Sequence, residues 1–136
     1  MAGQKDELVK SGLHTTQADA IVNGRVTGDG GAVTQLTNRA TGVTLNTVCG
    51  AITTDNTSLA AEASAVFVVT NSKVAIGDVP VVAIRSGMVA LNTRATVTAV
   101  AAGSFSITVV NGNVAGGTAE TGALIINFVI LKATNA

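Results

Sequence analysis

The chain has 136 residues, one domain's worth, and its formal net charge is zero with only 12% charged side chains, about half the ~25% of ordinary domains. Aromatic residues are 2%, without tryptophan or tyrosine, so the stacking platforms and basic stripes that hold nucleic acid are missing and no nucleic acid is expected as a partner. With 47% hydrophobic residues, an exterior this poor in charge has to be covered by hydroxyls and amides and by another protein.

The chain opens on a polar arm, Met1–Asn23. Leu8, Val9 and Leu13 are followed only by Ala18, Ala20, Ile21 and Val22, too sparse for a good apolar stripe on a helix. No apolar run follows its early charges, so it does not read as a secretion signal, and synthesis in a cytoplasm is expected. From Gly24 onward glycine, valine, threonine and alanine dominate and the period becomes two. The sequence thus divides into an arm, 1–23, and a body, 24–136.

In the body, the stretch VTQLTNRATGVTLN from Val33 to Asn46 sets threonine, asparagine or glutamine between small aliphatics. Val43 and Leu45 alternate with Thr44 and Asn46, and Val66 and Val68 alternate with Phe67 and Val69; both segments read as strands. Val79–Arg85 and Ala123–Leu131 are apolar on both faces, which predicts central strands or strands whose second face meets another subunit. The second of these is broken by Asn127 and is too short to cross a membrane as a helix, so no membrane partner is expected. Pro80 cannot donate to a ladder and belongs at the start of its strand or at an edge. Arg94, Thr96 and Thr98 alternate with Ala95, Val97 and Ala99, and after a turn at Ala102-Gly103, Phe105, Ile107 and Val109 alternate with Ser106, Thr108 and Val110. That is a hairpin with one face in and one face out. Turn residues at Asp55-Asn56, Asn71-Ser72, Ser86-Gly87 and Asn111-Gly112-Asn113 separate the strands. About eight short strands at intervals of about ten residues predict an all-β, single-domain, two-sheet sandwich, jelly-roll-like, with an extended N-terminal arm.

Reactive chemistry is sparse. His14 is the only histidine and lies in the arm, and no Gly-x-Ser-x-Gly elbow presents a serine to it. Cys49 is the only cysteine, so no intramolecular disulfide forms, and it reads as a small apolar core residue. The acidic residues are scattered, without the paired carboxylates of glycoside hydrolysis. Asp29 and Asp55 stand in loops that lack the further carboxylates of a calcium site, and they read as turn residues. No catalytic residue, metal or cofactor is expected.

Three segments, in order, carry a resemblance: GAVTQLTNRATGVTLNTVCGAITT (Gly31–Thr54), SLAAEASAVFVVTNSKVAIGDVPVVAIRSG (Ser58–Gly87) and ATVTAVAAGSFSITVVNGNVAGGTAETGALIINFVILKA (Ala95–Ala133). Together they resemble a family of small tailed-bacteriophage virion proteins, in which a VTQxTxxxTGVTLN-like strand pair, an LAA-x-x-x-x-x-FxVTN hairpin strand and a final xxxNFxxxK strand recur. Members look like capsid decoration proteins or terminal modules of tail fibres and spikes. The resemblance implies a structural, trimeric virion component with no catalytic residue to carry over. No long repetitive shaft is present. The expectation is therefore a head decoration, or cement, protein on the outer capsid surface, stabilising joints between major capsid protein subunits. The alternative is a tail-fibre or baseplate module for host attachment. Such a module would need exposed aromatic or carboxylate side chains to grip a sugar, and the three phenylalanines all fall at core-like positions.

Two sets of residues are expected to serve that function. In the last strand Leu124, Ile126, Phe128 and Ile130 lie on one face and Ile125, Val129 and Leu131 on the other, and the second row is expected in the subunit interface of a homotrimer. In the arm, Lys5, Lys10 and His14 are expected to contact the capsid. Threonine and valine have nearly the same shape, so alternating them makes a β-stable surface, poor in charge, that can meet water or another subunit.

Overall fold

The longer strands form where β-branched and aromatic side chains alternate with smaller or polar ones, and several stop at a turn or charged residue: Asn71, Gly87, Gly112 and Lys132 each follow the last residue of a strand. The computed structural model describes residues 30–133. It contains β1 (Ala32–Thr34), β2 (Val43–Thr44), β3 (Cys49–Thr53), β4 (Ser64–Thr70), β5 (Val79–Ser86), β6 (Thr93–Ala101), β7 (Ser104–Asn111) and β8 (Ile125–Leu131), with no helix among the described residues. The expected arm, with Lys5, Lys10 and His14, lies outside those residues.

Two four-stranded sheets result: sheet A in the order β1-β3-β8-β5 and sheet B in the order β2-β4-β7-β6. The all-β two-sheet sandwich expected from the pattern is the fold. Apart from the β6–β7 hairpin, each successive strand crosses to the other sheet. Both short strands of the first segment pair in parallel, β1 on β3 and β2 on β4, and the remaining ladders are antiparallel.

Between the sheets the inward rows interdigitate. Ile52 of β3 and Ile126, Phe128 and Ile130 of β8 face Phe67 and Val69 of β4 and Phe105, Ile107 and Val109 of β7, all buried. Phe105 and Phe128 meet across the gap with ring centroids 5.6 Å apart and planes tilted at 58°, the offset geometry aromatic quadrupoles favour. Each such side chain contributes about 1.5–3 kcal/mol by leaving water. Gly50 makes room for this packing: a Cβ there would stand 2.8 Å from Leu45 Cδ2 and 3.1 Å from Phe128 Cε1.

The structure corrects three expectations. Val43–Asn46 is a strand only over Val43–Thr44, and its partner in the expected strand pair, β1, belongs to the other sheet. The polar residues of Val33–Asn46 do not form an outward surface throughout, since Gln35 and Arg39 are buried. The Gln35 amide donates to Arg39 O (2.9 Å) and Thr41 O (2.6 Å) and accepts from Asp55 N (3.0 Å), so it organises the crossing between sheets. Finally, β5 is an edge strand rather than a central one, with Pro80 at its second position and a bulge between Ile84 and Ser86. Its two apolar faces therefore come from core packing on one side and an exposed apolar surface on the other.

Candidate functional site

The pleat that buries one row of each strand turns the other row outward, and on sheet A that outward row is apolar. Ladder register sets the rows side by side: Val79 beside Leu131; Val81, Val129 and Cys49 in line; Ala83, Asn127, Ala51 and Ala32 in line; and Ile125 beside Thr53, with Thr34 next. Val79 and Leu131 are 50% and 53% exposed, while Ile125, Val129 and Cys49 are half-buried among their neighbours. No charged residue stands within this face. Charge appears at its ends, where Arg85 sits at the bulge of β5 and Lys132 bonds Asp78 at 2.7 Å. Hydrogen bonding by Ala75 N, and then by Lys132, holds the Asp78 carboxyl below its ordinary range. An apolar centre with a polar rim is the anatomy of a protein contact surface.

The expected interface residues Ile125, Val129 and Leu131 all lie on this face, opposite the core row, as the alternation of β8 requires. The reading of Cys49 as a core residue is corrected: Gly50 and Ile52 face inward on β3, so Cys49 points outward beside Val129. Val79, Val81 and Ala51 belong to the same surface and were not singled out from the sequence. Their own apolar pattern was visible, but their alignment with Val129 depends on register between strands far apart in the chain.

The outer face of sheet B has a different chemistry. Ser64, Val66, Val68 and Thr70 of β4 lie beside Ser104, Ser106, Thr108 and Val110 of β7, with Arg94 and Thr96 of β6 in the next column. Hydroxyls interact across strands, as between Thr98 Oγ1 and Thr108 Oγ1 at 2.9 Å.

One end of the sandwich holds the buried polar residues that the sequence did not reveal. Glu120 is fully buried, and its carboxylate accepts from Val89 N (3.1 Å), Ala90 N (3.0 Å), Thr93 Oγ1 (2.7 Å) and Gly122 N (2.8 Å). Arg39, also buried, donates to Glu120 O (3.1 Å), Gly122 O (2.8 Å), Thr54 Oγ1 (3.3 Å) and Thr57 O. Gly122 has to be glycine there, because a Cβ would lie 1.8 Å from Gly87 O. Burial works against the Glu120 charge, but the bonds from Thr93, Gly122, Val89 and Ala90 prevail and hold its pKa below the ordinary value. Burial likewise lowers Arg39, opposed by Glu120 and Asp55. A carboxylate held ionised and fully engaged is a clasp, not a general acid or base poised near neutrality. It fixes the loop at 87–92, while Asn111 Nδ2 holds the loop at 112–119 by donating to Thr118 O at 2.9 Å; together the two loops display Met88, Val89, Leu91 (87% exposed) and Val114 (76% exposed) and contain no charged residue. Asn92 Nδ2 joins the two loops by donating to Asn113 Oδ1 at 2.8 Å.

Asp55, weighed as a calcium ligand, is a turn residue whose Oδ1 accepts from Thr57 N and Thr57 Oγ1. Among the described residues no group of three histidine, cysteine, aspartate or glutamate side chains is placed to hold a metal ion. Comparison with family models, curated proteins and solved structures found no match.

Proposed function

We propose that the chain is a bacteriophage head decoration, or cement, protein that binds the outer capsid surface as a homotrimer and stabilises joints between major capsid protein subunits. The observation that carries this reading is the outer face of sheet A, an apolar surface of the two-sheet sandwich ending in Arg85 and the Lys132–Asp78 pair. It is supported by the three-segment resemblance to small virion proteins. Its work is binding: a clamp across two capsid subunits adds interface that has to be lost before they part, and three linked copies raise the effective concentration of each contact.

The proposal gives Ile125, Val129 and Leu131 to contacts between copies. It gives the shell two regions: the apolar loop end of Leu91 and Val114, and the arm with Lys5, Lys10 and His14. Deleting residues 2–22 is expected to lower capsid affinity at least tenfold, about 1.4 kcal/mol, in titrations against undecorated capsids. Electron microscopy of virions with and without this protein tests the whole reading. Added density over the joints of the shell is the expected result. Density at the tail end would transfer the protein to the fibre or baseplate, and no density at all would end the virion assignment.

A further inference from the structure

The sequence carries two Asn-Gly pairs, Asn23-Gly24 outside the described residues and Asn111-Gly112 at the end of β7. Asn-Gly is the pair most prone to lose its side-chain amide, because no Cβ on the glycine hinders the backbone nitrogen from reaching the asparagine Cγ. Here the structure requires both members. Asn111 is fully buried; its Nδ2 donates to Leu59 O (3.0 Å) and Thr118 O (2.9 Å), and its Oδ1 accepts from Asn113 N (3.1 Å). One amide thus ties the chain at Leu59 to the 112–119 loop. Gly112 has to lack a side chain, since a Cβ would stand 2.9 Å from the backbone oxygen of Asn92.

The contacts that require the pair also keep it from reacting. Ring closure needs Gly112 N to lose its proton and turn onto Asn111 Cγ. In the fold that N–H donates to Asn92 O (3.1 Å). The Asn111 backbone is pinned on both sides, its N donating to Ala63 O (3.0 Å) and its O accepting from Glu62 N (3.0 Å). The leaving amide is itself held by both of its hydrogens. Reaction therefore waits for a local opening that frees all of these, and its rate is scaled down by the fraction of molecules that are open.

We propose that Asn111-Gly112 is a latent deamidation site, inert while the fold is closed, whose reaction after opening releases the 112–119 loop one way. Gly112 N bonds to Asn111 Cγ as the Cγ–Nδ2 bond breaks, and the nitrogen's proton leaves with the ammonia. Water then opens the cyclic imide at either carbonyl, giving aspartate or, with the main chain rerouted through the side chain, isoaspartate; nothing is oxidised or reduced. Neither product fits the closed site. A carboxylate only accepts, so the oxygen replacing Nδ2 would face two other acceptors, Leu59 O and Thr118 O. Isoaspartate adds a backbone carbon where Asn111 pairs with Glu62 and Ala63. The inference is independent of the virion reading.

The test incubates the full-length chain, native and unfolded in guanidinium, in the same mildly alkaline buffer, with Asn23→Ala as the background so that the other Asn-Gly pair is silent. Peptide mapping by mass spectrometry follows the conversion of Asn111. Conversion is expected to be at least ~100-fold slower in the native chain. That slowing should be no smaller than the hydrogen-exchange protection of the Gly112 amide, which is freed in the same opening. Asn92→Ala removes the bond from Asn92 Nδ2 to Asn113 Oδ1 but leaves the reactive pair intact, and it is expected to speed the native reaction at least about threefold. Chains converted while unfolded and then returned to buffer should melt lower than unconverted chains taken through the same cycle. Native conversion as fast as unfolded conversion would overturn the proposal. So would slowing smaller than the Gly112 protection, an unchanged rate in Asn92→Ala, or converted chains that melt like unconverted ones.

Discussion

The outward faces of the two sheets are built on the same alternation and differ in what they present. On sheet B the exposed row of the β4–β7–β6 ladder mixes valine with serine and threonine, whose hydroxyls meet water or one another. On sheet A the corresponding row of β5 and β8 is valine, isoleucine, leucine and alanine around one amide. The inward rows are equally apolar in both sheets, so burial of the core does not require this difference. A residue facing inward reports on folding, and a residue facing outward reports on what lies outside. Apolar area left on sheet A keeps about 25 cal/mol per Å² in reserve for association, which a hydroxyl surface does not.

That comparison assumes a sandwich held in one arrangement, and the strongest way to break it is at Glu120. Replacing it with alanine removes the acceptor for Val89 N, Ala90 N, Thr93 Oγ1 and Gly122 N. Orphaning several buried donors is expected to cost about 3–5 kcal/mol, read as a fall in urea midpoint. Two hydrogen-bonded carboxylates, at this site and at the rim of sheet A, set a pH dependence. Glu120 and Asp78 have folded-state pKa values below their ordinary ones, so the unfolded chain binds protons first as pH falls. Their contribution is therefore complete above the ordinary carboxylate range, about pH 4–4.5, and is lost as pH falls through the depressed folded values. Glu120→Gln should flatten that acid limb.

A matched pair of charges compares the two faces directly. Val129→Asp on sheet A is expected to weaken self-association at least a hundredfold, about 2.7 kcal/mol, in light scattering. Thr108→Asp, also on a strand with neighbours on both sides but in sheet B, should leave it unchanged. Equal effects would mean that apolar character does not distinguish the surfaces. At the loop end, Leu91→Asp or Val114→Asp is expected to lower capsid affinity about tenfold, about 1.4 kcal/mol, without altering association. The smallest effect is expected at Cys49. Its outward position makes Cys49→Ala a loss of surface contact, within about 1 kcal/mol of native stability, and the melting temperature should move by only a few degrees.

Much of the body was legible because strand identity is a local property. The alternation in Phe105–Val110 named both rows of β7, the two-faced run Ala123–Leu131 sorted Ile126, Phe128 and Ile130 from Ile125, Val129 and Leu131, and Pro80 fell at an edge for want of an N–H. The site was legible only on β8. Cys49 was misplaced because its segment, Cys49–Thr53, lacks a clean alternation of large and polar residues: glycine takes the inward position opposite Phe128, so the thiol faces out.

The sequence by itself determined the period, and hence which side chains share a row, because the pleat repeats every two residues whatever lies next to it. Tertiary structure decided which rows became neighbours. Val81, Val129 and Cys49 align only through two ladders joining distant segments, and the parallel additions of β1 to β3 and β2 to β4 follow from chain crossings that no local pattern encodes. Glu120 shows the same division at the scale of one residue. In the run GGTAETGA it is an acid among small residues, indistinguishable from a solvated one. The approach of Val89, Ala90, Thr93 and Gly122 from separate turns makes it a buried clasp, since ionised burial is stable only where several donors converge.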